Sequence, residues 1–129
     1  MNRKEKIKYW VDSSNYDWKV ACHLLTSGDY PYALFLGHLS IEKLLKALFS
    51  SQFDETPPFT HKLVYLAEKI GLELSPEKIE MLEIITDFHL EARYPDEKFS
   101  FFKQCTKKFA QTNMKNIKEI RKWLLEKIR

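Results

Sequence analysis

Residues 31–51 read PYALFLGHLSIEKLLKALFSS, and this stretch sets the terms for the whole chain. Its period is helical, but its apolar residues fall on nearly every side rather than on one stripe. A helix of that kind is stable in water only when other elements cover it all round. Asp29 before it is a suitable N-cap, and Pro31 fits a first turn, where its missing N–H would go unpaired anyway. The sequence FDETPPF (53–59) ends it, because consecutive prolines cannot continue a helix.

The flanking segments supply the cover. Ile7, Val11, Ser14, Trp18, Ala21 and Leu25 recur at spacings of three and four and so share one helical stripe, closed near Ser27-Gly28. Thr60 is read as the cap of a short helix carrying Leu63, Leu66, Ala67 and Ile70. Ser75-Pro76 opens another, with Ile79, Leu82, Ile85, Phe88 and Ala92 facing inward and Pro95 as its stop. A loop is expected through about Ser100, then a long basic helix to the chain end that uses Phe102, Phe109, Ile117, Ile120, Leu124 and Ile128. KLVYL (62–66) could pass as a strand, but its surroundings favour helix. The expected fold is all-α: an antiparallel up-and-down four-helix bundle with one additional short helix, in a single domain over residues 1–129.

Length and charge narrow the function classes. At 129 residues the chain has room for one core. Purely apolar runs are only a few residues long, and the charged start MNRKEKIKYW lacks the apolar centre of a signal peptide, so a cytoplasmic, membrane-free protein is expected. Cys22 and Cys105 stand far apart without a CxxC partner, which argues against structural zinc on cysteines. The net charge of +3 is uneven: +2 over residues 1–51, −7 over 52–97 and +8 over 98–129. The basic end can meet phosphates, or it can meet the acidic middle within the chain or across a dimer. An apolar dimer face through Trp10, Trp18, Phe101 or Trp123 is the alternative.

Two polar groups, His38 and Glu42, interrupt the apolar stripe of Phe35, Leu45 and Phe49 on the central helix. A buried carboxylate needs a partner, and Lys46 one turn on, or a basic group from another helix, can supply it. His38 and Glu42 alone lack a convincing third ligand, so no metal site is assigned and no cofactor is expected. His61, just after Thr60, and His23 read as structural or surface residues. His89 and Arg93 are placed on one helical face near a C-terminal end, where a cation meets free carbonyls. Arg93 could instead clamp a phosphate with its fork of donors, with Tyr94 stacking on a base. No nucleophile motif or phosphate-cradling glycine loop is present.

HLSIEKLLKALF (38–49) resembles the Glu-Lys-x-x-Lys-Ala signature of HEPN ("higher eukaryotes and prokaryotes nucleotide-binding") domains. SGDYPYALF (27–35) before it, THKLVYL (60–66) after it and ARYPD (92–96) resemble the rest of that pattern in order and spacing, the last matching a branch with an Arg-Tyr-Pro motif. The resemblance implies a helical bundle, commonly a homodimer, often encoded beside a small nucleotidyltransferase in a toxin–antitoxin-like pair. It also implies either metal-independent ribonuclease activity or binding without cleavage. Cleaving members use an arginine followed four to six residues later by a histidine. Here no histidine follows Arg93, Arg3 or Arg121 at that spacing; the pair runs His89 then Arg93.

The resulting expectation is a non-catalytic binding module for a nucleotide, an RNA or another nucleic acid, or for a nucleotidyltransferase partner. Glu42, Lys43, Lys46, Arg93, Tyr94 and Asp96 are the candidate binding residues. Arg93 either holds a ligand's anion or pairs with Glu42. A ribonuclease with an altered site at His89 and Arg93, and a purely structural dimeric scaffold, are the alternatives.

Overall fold

A computed structural model describes residues 1–128; Arg129, the end of the helix expected to reach the chain end, lies outside the described residues. The helices are α1 (Arg3–Ser27), α2 (Tyr30–Gln52), α3 (Leu63–Lys69), α4 (Pro76–Thr86), α5 (Pro95–Gln104) and α6 (Lys107–Lys127), with a single 3₁₀ turn at Leu90–Ala92. Among the described residues there is no strand. No described helix is long and apolar enough to cross a membrane.

Helix α2 is the axis of the bundle. Ala33, Leu34, Ile41, Leu44 and Ala47 are fully buried, with Phe35, Leu45, Leu48 and Phe49 nearly so. Each large side chain among them contributes about 1.5–3 kcal/mol by leaving water. Helices α1 and α6 pack along α2, and α3 and α4 close its other flank. Gly28 makes the α1–α2 hairpin tight: at φ 85° it holds the left-handed conformation that closes α1.

A polar lock joins the first helix to the last. Ser14, on the inward stripe of α1, donates its hydroxyl to the Ser40 carbonyl at 2.5 Å. Arg121 of α6 donates to Ser14 Oγ at 2.6 Å and to Asn15 Oδ1 at 2.7 Å. Burial pushes the Arg121 guanidinium down to about 10, which the neighbouring Cys22 and Asp17 only partly oppose.

Several local expectations are corrected. Thr60 does not cap α3: Lys62 holds the N-cap position, and Thr60 Oγ1 accepts from the Lys62 N–H at 3.2 Å instead. Helix α4 ends at Thr86, so His89 and Arg93 do not share a helical face; they flank the 3₁₀ turn as its caps. The reason lies in the run Phe88, His89 and Leu90, all buried. Unlike α2, which is covered all round, α4 is buried on one stripe through Leu82 and Ile85, and three consecutive inward side chains cannot all sit on such a stripe. Ala92, expected in the core, is exposed.

Pro95 starts α5 as well as ending what precedes it. Tyr94 is extended, Pro95 occupies the first turn, and Asp96 and Glu97 sit where acidic groups favour the helix dipole. The expected loop through Ser100 is therefore helix, and Thr106 caps α6 separately by accepting from the Phe109 N–H. The new register turns Phe102 outward and Phe101 inward. Phe101 is buried beside Phe88, their ring centroids 5.7 Å apart, and so is not available to a dimer face.

Candidate functional site

The carboxylate buried on α2 is met from two sides. Lys46 Nζ donates to Glu42 Oε2 at 2.9 Å. His61 Nδ1 lies 3.1 Å from Glu42 Oε1. Burial alone would raise the Glu42 carboxyl, but the hydrogen bonds from Lys46 and His61 outweigh it and hold it below the usual carboxylate range. Arg93 is not the counter-charge: its Nε donates to the Asp87 carbonyl at 2.9 Å, and Nη2 donates to the same oxygen. The pairing of Arg93 with Glu42 expected as one outcome is replaced by His61, a residue read from the sequence as structural.

Separate segments of the chain bring three histidines together. His38 of α2 is fully buried. Its ring lies 5.2 Å from that of His89 and 6.5 Å from that of His61, centroid to centroid, and His61 stacks on His89 at 3.6 Å. His38 Nε2 contacts the His61 carbonyl at 3.2 Å. A carbonyl only accepts, so Nε2 carries the proton and Nδ1 is left with a lone pair. That Nδ1 is buried with no hydrogen-bond partner among the described residues. Burial drives His38 down to about 4, against the opposing pull of Glu42. His89 is lowered too, by burial and then by the neighbouring His61.

Beside the cluster opens a recess of about 700 Å³. Phe59, Thr60, His61 and Lys62 form one wall, and Thr86, Asp87, His89, Ala92, Arg93 and Glu97 form the other. Phe59 presents an almost fully exposed ring, at 96 %. The Arg93 guanidinium lies over Phe101 at 4.5 Å from the ring centroid, so its orientation is fixed by the aromatic face as well as by Asp87. With Nε and Nη2 committed to Asp87, Nη1 makes no hydrogen bond among the described residues. His61 is in a matching state: Nδ1 faces Glu42, leaving Nε2 as the free nitrogen of a side chain that is 40 % exposed.

Of the six residues expected to line a binding site, the recess contains Arg93. Glu42 stands behind it, in contact with His61. Lys43 reaches the opposite way, to Asp17 at 2.7 Å and Ser13 at 2.8 Å on α1. Lys46 is occupied by Glu42 and lies over the Trp10 ring. Tyr94 is exposed as the N-cap of α5, and Asp96 is in its first turn; neither lines the recess. His89, offered only as an alternative, is central. Phe59 and His61 were missed. The available signal was Glu42 itself, an acid on an apolar helix needing more than one donor, with a histidine in the loop that returns to α2.

The family model for the HEPN domain matches residues 7–128. The crystal structure of TT1696 from Thermus thermophilus is similar in fold, with a TM-score of 0.79 at 20% identity, covering 98% of this chain and 99% of that one. No curated protein matches the sequence.

Proposed function

Since the chain belongs to the HEPN family, we propose that it is a non-catalytic binding module whose recess takes a nucleotide or the phosphate-bearing end of an RNA. The observation that carries this reading is the state of Arg93. Its guanidinium is pinned by a carbonyl and an aromatic face, has no carboxylate partner among the described residues, and stands at a recess wall with one amino group unused. A prepositioned guanidinium loses little freedom on gripping a phosphate. Phe59 offers a face for a base across the same opening. A volume of about 700 Å³ lies in the range for small-ligand sites.

Overall field is not the source of affinity. Lys62 and Arg93 are balanced by Asp87 and Glu97 in the same walls. Recognition therefore rests on the prepositioned Nη1 group of Arg93 and on stacking. Isothermal titration with nucleoside mono-, di- and triphosphates tests it. Arg93→Ala is expected to weaken binding by about 10- to 100-fold, the range for a charge-assisted hydrogen bond. Equal affinity in a folded Arg93→Ala protein, or no binding by the native chain, overturns the reading.

The partner side of the proposal is a second copy of this chain and a small nucleotidyltransferase in a toxin–antitoxin-like pair, as the family resemblance implies. Co-expression with a nucleotidyltransferase encoded beside it, followed by size-exclusion chromatography, tests that part.

One observation favours a second reading, the ribonuclease. His61 is oriented by a carboxylate through Nδ1, keeps Nε2 free and shares the recess with His89 and Arg93. That is the arrangement of a positioned general base. It predicts RNA cleavage that survives chelator and is lost in His61→Ala, His89→Ala and Arg93→Ala. Intact RNA after incubation with native protein excludes it.

A further inference from the structure

We propose that His38, Glu42 and His89 form a binding site for a divalent transition metal of the zinc class. One potential ligand atom from each lies within 4.8 Å of the other two, and all three residues are buried. A triangle with edges of at most 4.8 Å has its centre within about 2.8 Å of each corner. Zinc–nitrogen and zinc–oxygen bonds are about 2.0–2.2 Å, so a contraction of under about 1 Å per side chain brings the set to bonding distance.

The decisive detail is His38 Nδ1. A buried ring nitrogen with a lone pair and no donor is costly to leave unsatisfied, and its ring is already fixed on the opposite edge. Nε2–H donates to the His61 carbonyl at 3.2 Å, and a backbone carbonyl holding the far N–H is the usual support of a metal-bound imidazole. Glu42 adds an ionised carboxylate, held by Lys46 through Oε2 and met by His61 at Oε1, each oxygen keeping a second lone pair for an ion. His89 Nδ1 accepts from the Ala92 N–H at 3.2 Å, and that N–H also reaches the His89 carbonyl at 3.3 Å. Binding through His89 Nε2 moves the ring proton to Nδ1, which then no longer accepts from the Ala92 N–H. The ring must turn away from that N–H as it moves onto the ion, and Ala92 keeps the His89 carbonyl as its partner.

Two neutral imidazoles and one carboxylate make a donor set of intermediate softness, suited to zinc and to cobalt(II) or nickel(II) rather than to calcium or magnesium. Three protein ligands leave one position exchangeable. His61 contacts Glu42 and stacks on His89, so it is the group placed to fill or to cover that position. The sequence offered only His38 and Glu42, one turn apart; His89 comes from a turn some fifty residues on and was invisible as the third member. The site adjoins the recess, which His89 also lines, but requires nothing of what Arg93 binds.

Chelator-treated full-length protein titrated with cobalt(II) tests the proposal by visible absorption, with zinc as competitor. One equivalent is expected, giving the intense bands of a four-coordinate ion that zinc abolishes. Glu42→Gln and His89→Ala should each weaken binding at least about 10-fold, while His23→Ala on the exposed face of α1 should not. X-ray absorption on the zinc-loaded native protein should show a nitrogen/oxygen shell with scattering from two or three imidazoles, a readout that does not depend on whether a variant folds. The proposal is overturned by the absence of stoichiometric binding in folded native protein, by unchanged affinity in folded Glu42→Gln and His89→Ala, or by sulfur in the coordination shell.

Discussion

His61 and Glu42 are joined at 3.1 Å across 19 residues of sequence, and this contact converts an anomaly of the central helix into the back wall of a recess. It means that Glu42 needs nothing from Arg93. The guanidinium is left to face whatever enters.

The charge on α2 should be a matched set rather than a source of net stability. Glu42→Ala leaves the Lys46 ammonium without its carboxylate in a setting where that side chain is only 12% exposed. A loss of about 3 kcal/mol in urea unfolding is expected for the single change. Replacing both residues by apolar ones of similar size, Glu42→Leu with Lys46→Met, should cost less than Glu42→Ala alone. A double variant less stable than that single one would show that the pair is net stabilising.

Close approach of α2 and α6 depends on Gly37. A Cβ there would lie 2.8 Å from Ile117 Cδ1, closer than side chains pack, although the obstacle is the tip of one side chain. Gly37→Ala is expected to destabilise by about 1 kcal/mol, overpacking outweighing the gain in helix propensity. Ile117→Val removes the obstructing methyl, so in the Gly37→Ala background it should cost less than in the native protein, a coupling that thermal unfolding of the four variants measures.

The lock between the ends of the chain makes a parallel case. Arg121→Ala strips Ser14 and Asn15 of their donor and opens space beneath Trp18, whose ring centroid is 5.4 Å from the guanidinium carbon. A loss of about 2–4 kcal/mol is expected in denaturant titration. Arg121→Lys should recover only part, because a lysine cannot present two donors in a fixed fork.

Cys105 should be inert at ordinary pH. Burial raises its thiol to about 11, against the pull of Arg93. Relative to a thiol at 9.0, its thiolate fraction near pH 8 falls about 100-fold, and alkylation by iodoacetamide should slow by at least that factor until the protein unfolds. The sign for stability follows: the neutral thiol is favoured in the fold, so its contribution is complete below the unfolded-state value and is lost as pH rises towards 11. Alkylation of Cys105 at the rate of a free thiol in native buffer would contradict this.

The helical architecture was legible because α2 left no other solution: a helix apolar all round demands cover, and the stripes on α1, α3, α4 and α6 supplied it. What misled was proline. At position 31 the sequence marks it as a first-turn residue and at 95 as a stop, although Asp96 and Glu97 behind Pro95 carry the same helix-start signal. The site was half legible. Arg93 and Glu42 were both singled out, but their separate roles depend on the loop carrying Phe59 and His61, whose path is set by tertiary packing rather than by periodicity. A histidine outside any stripe carries no local sign of which acid it will meet.

Salt separates two origins for the proposed association of copies. If the basic α6 of one copy meets the acidic middle of another, sedimentation should show dissociation as ionic strength rises. If contact runs through the half-buried Trp10, Trp18 or Trp123, salt should have little effect.

The central claim, that Arg93 and its recess grip a phosphate, is tested most directly by nuclear magnetic resonance titration of ¹⁵N-labelled protein with a nucleoside monophosphate and with the matching nucleoside. Saturable shifts confined to residues 59–62 and 86–97, including the Arg93 side-chain Nε–H, are expected, with the nucleotide binding at least about 10-fold more tightly than the nucleoside. Shifts clustered on the basic face of α6, or equal affinity for nucleotide and nucleoside, would contradict it.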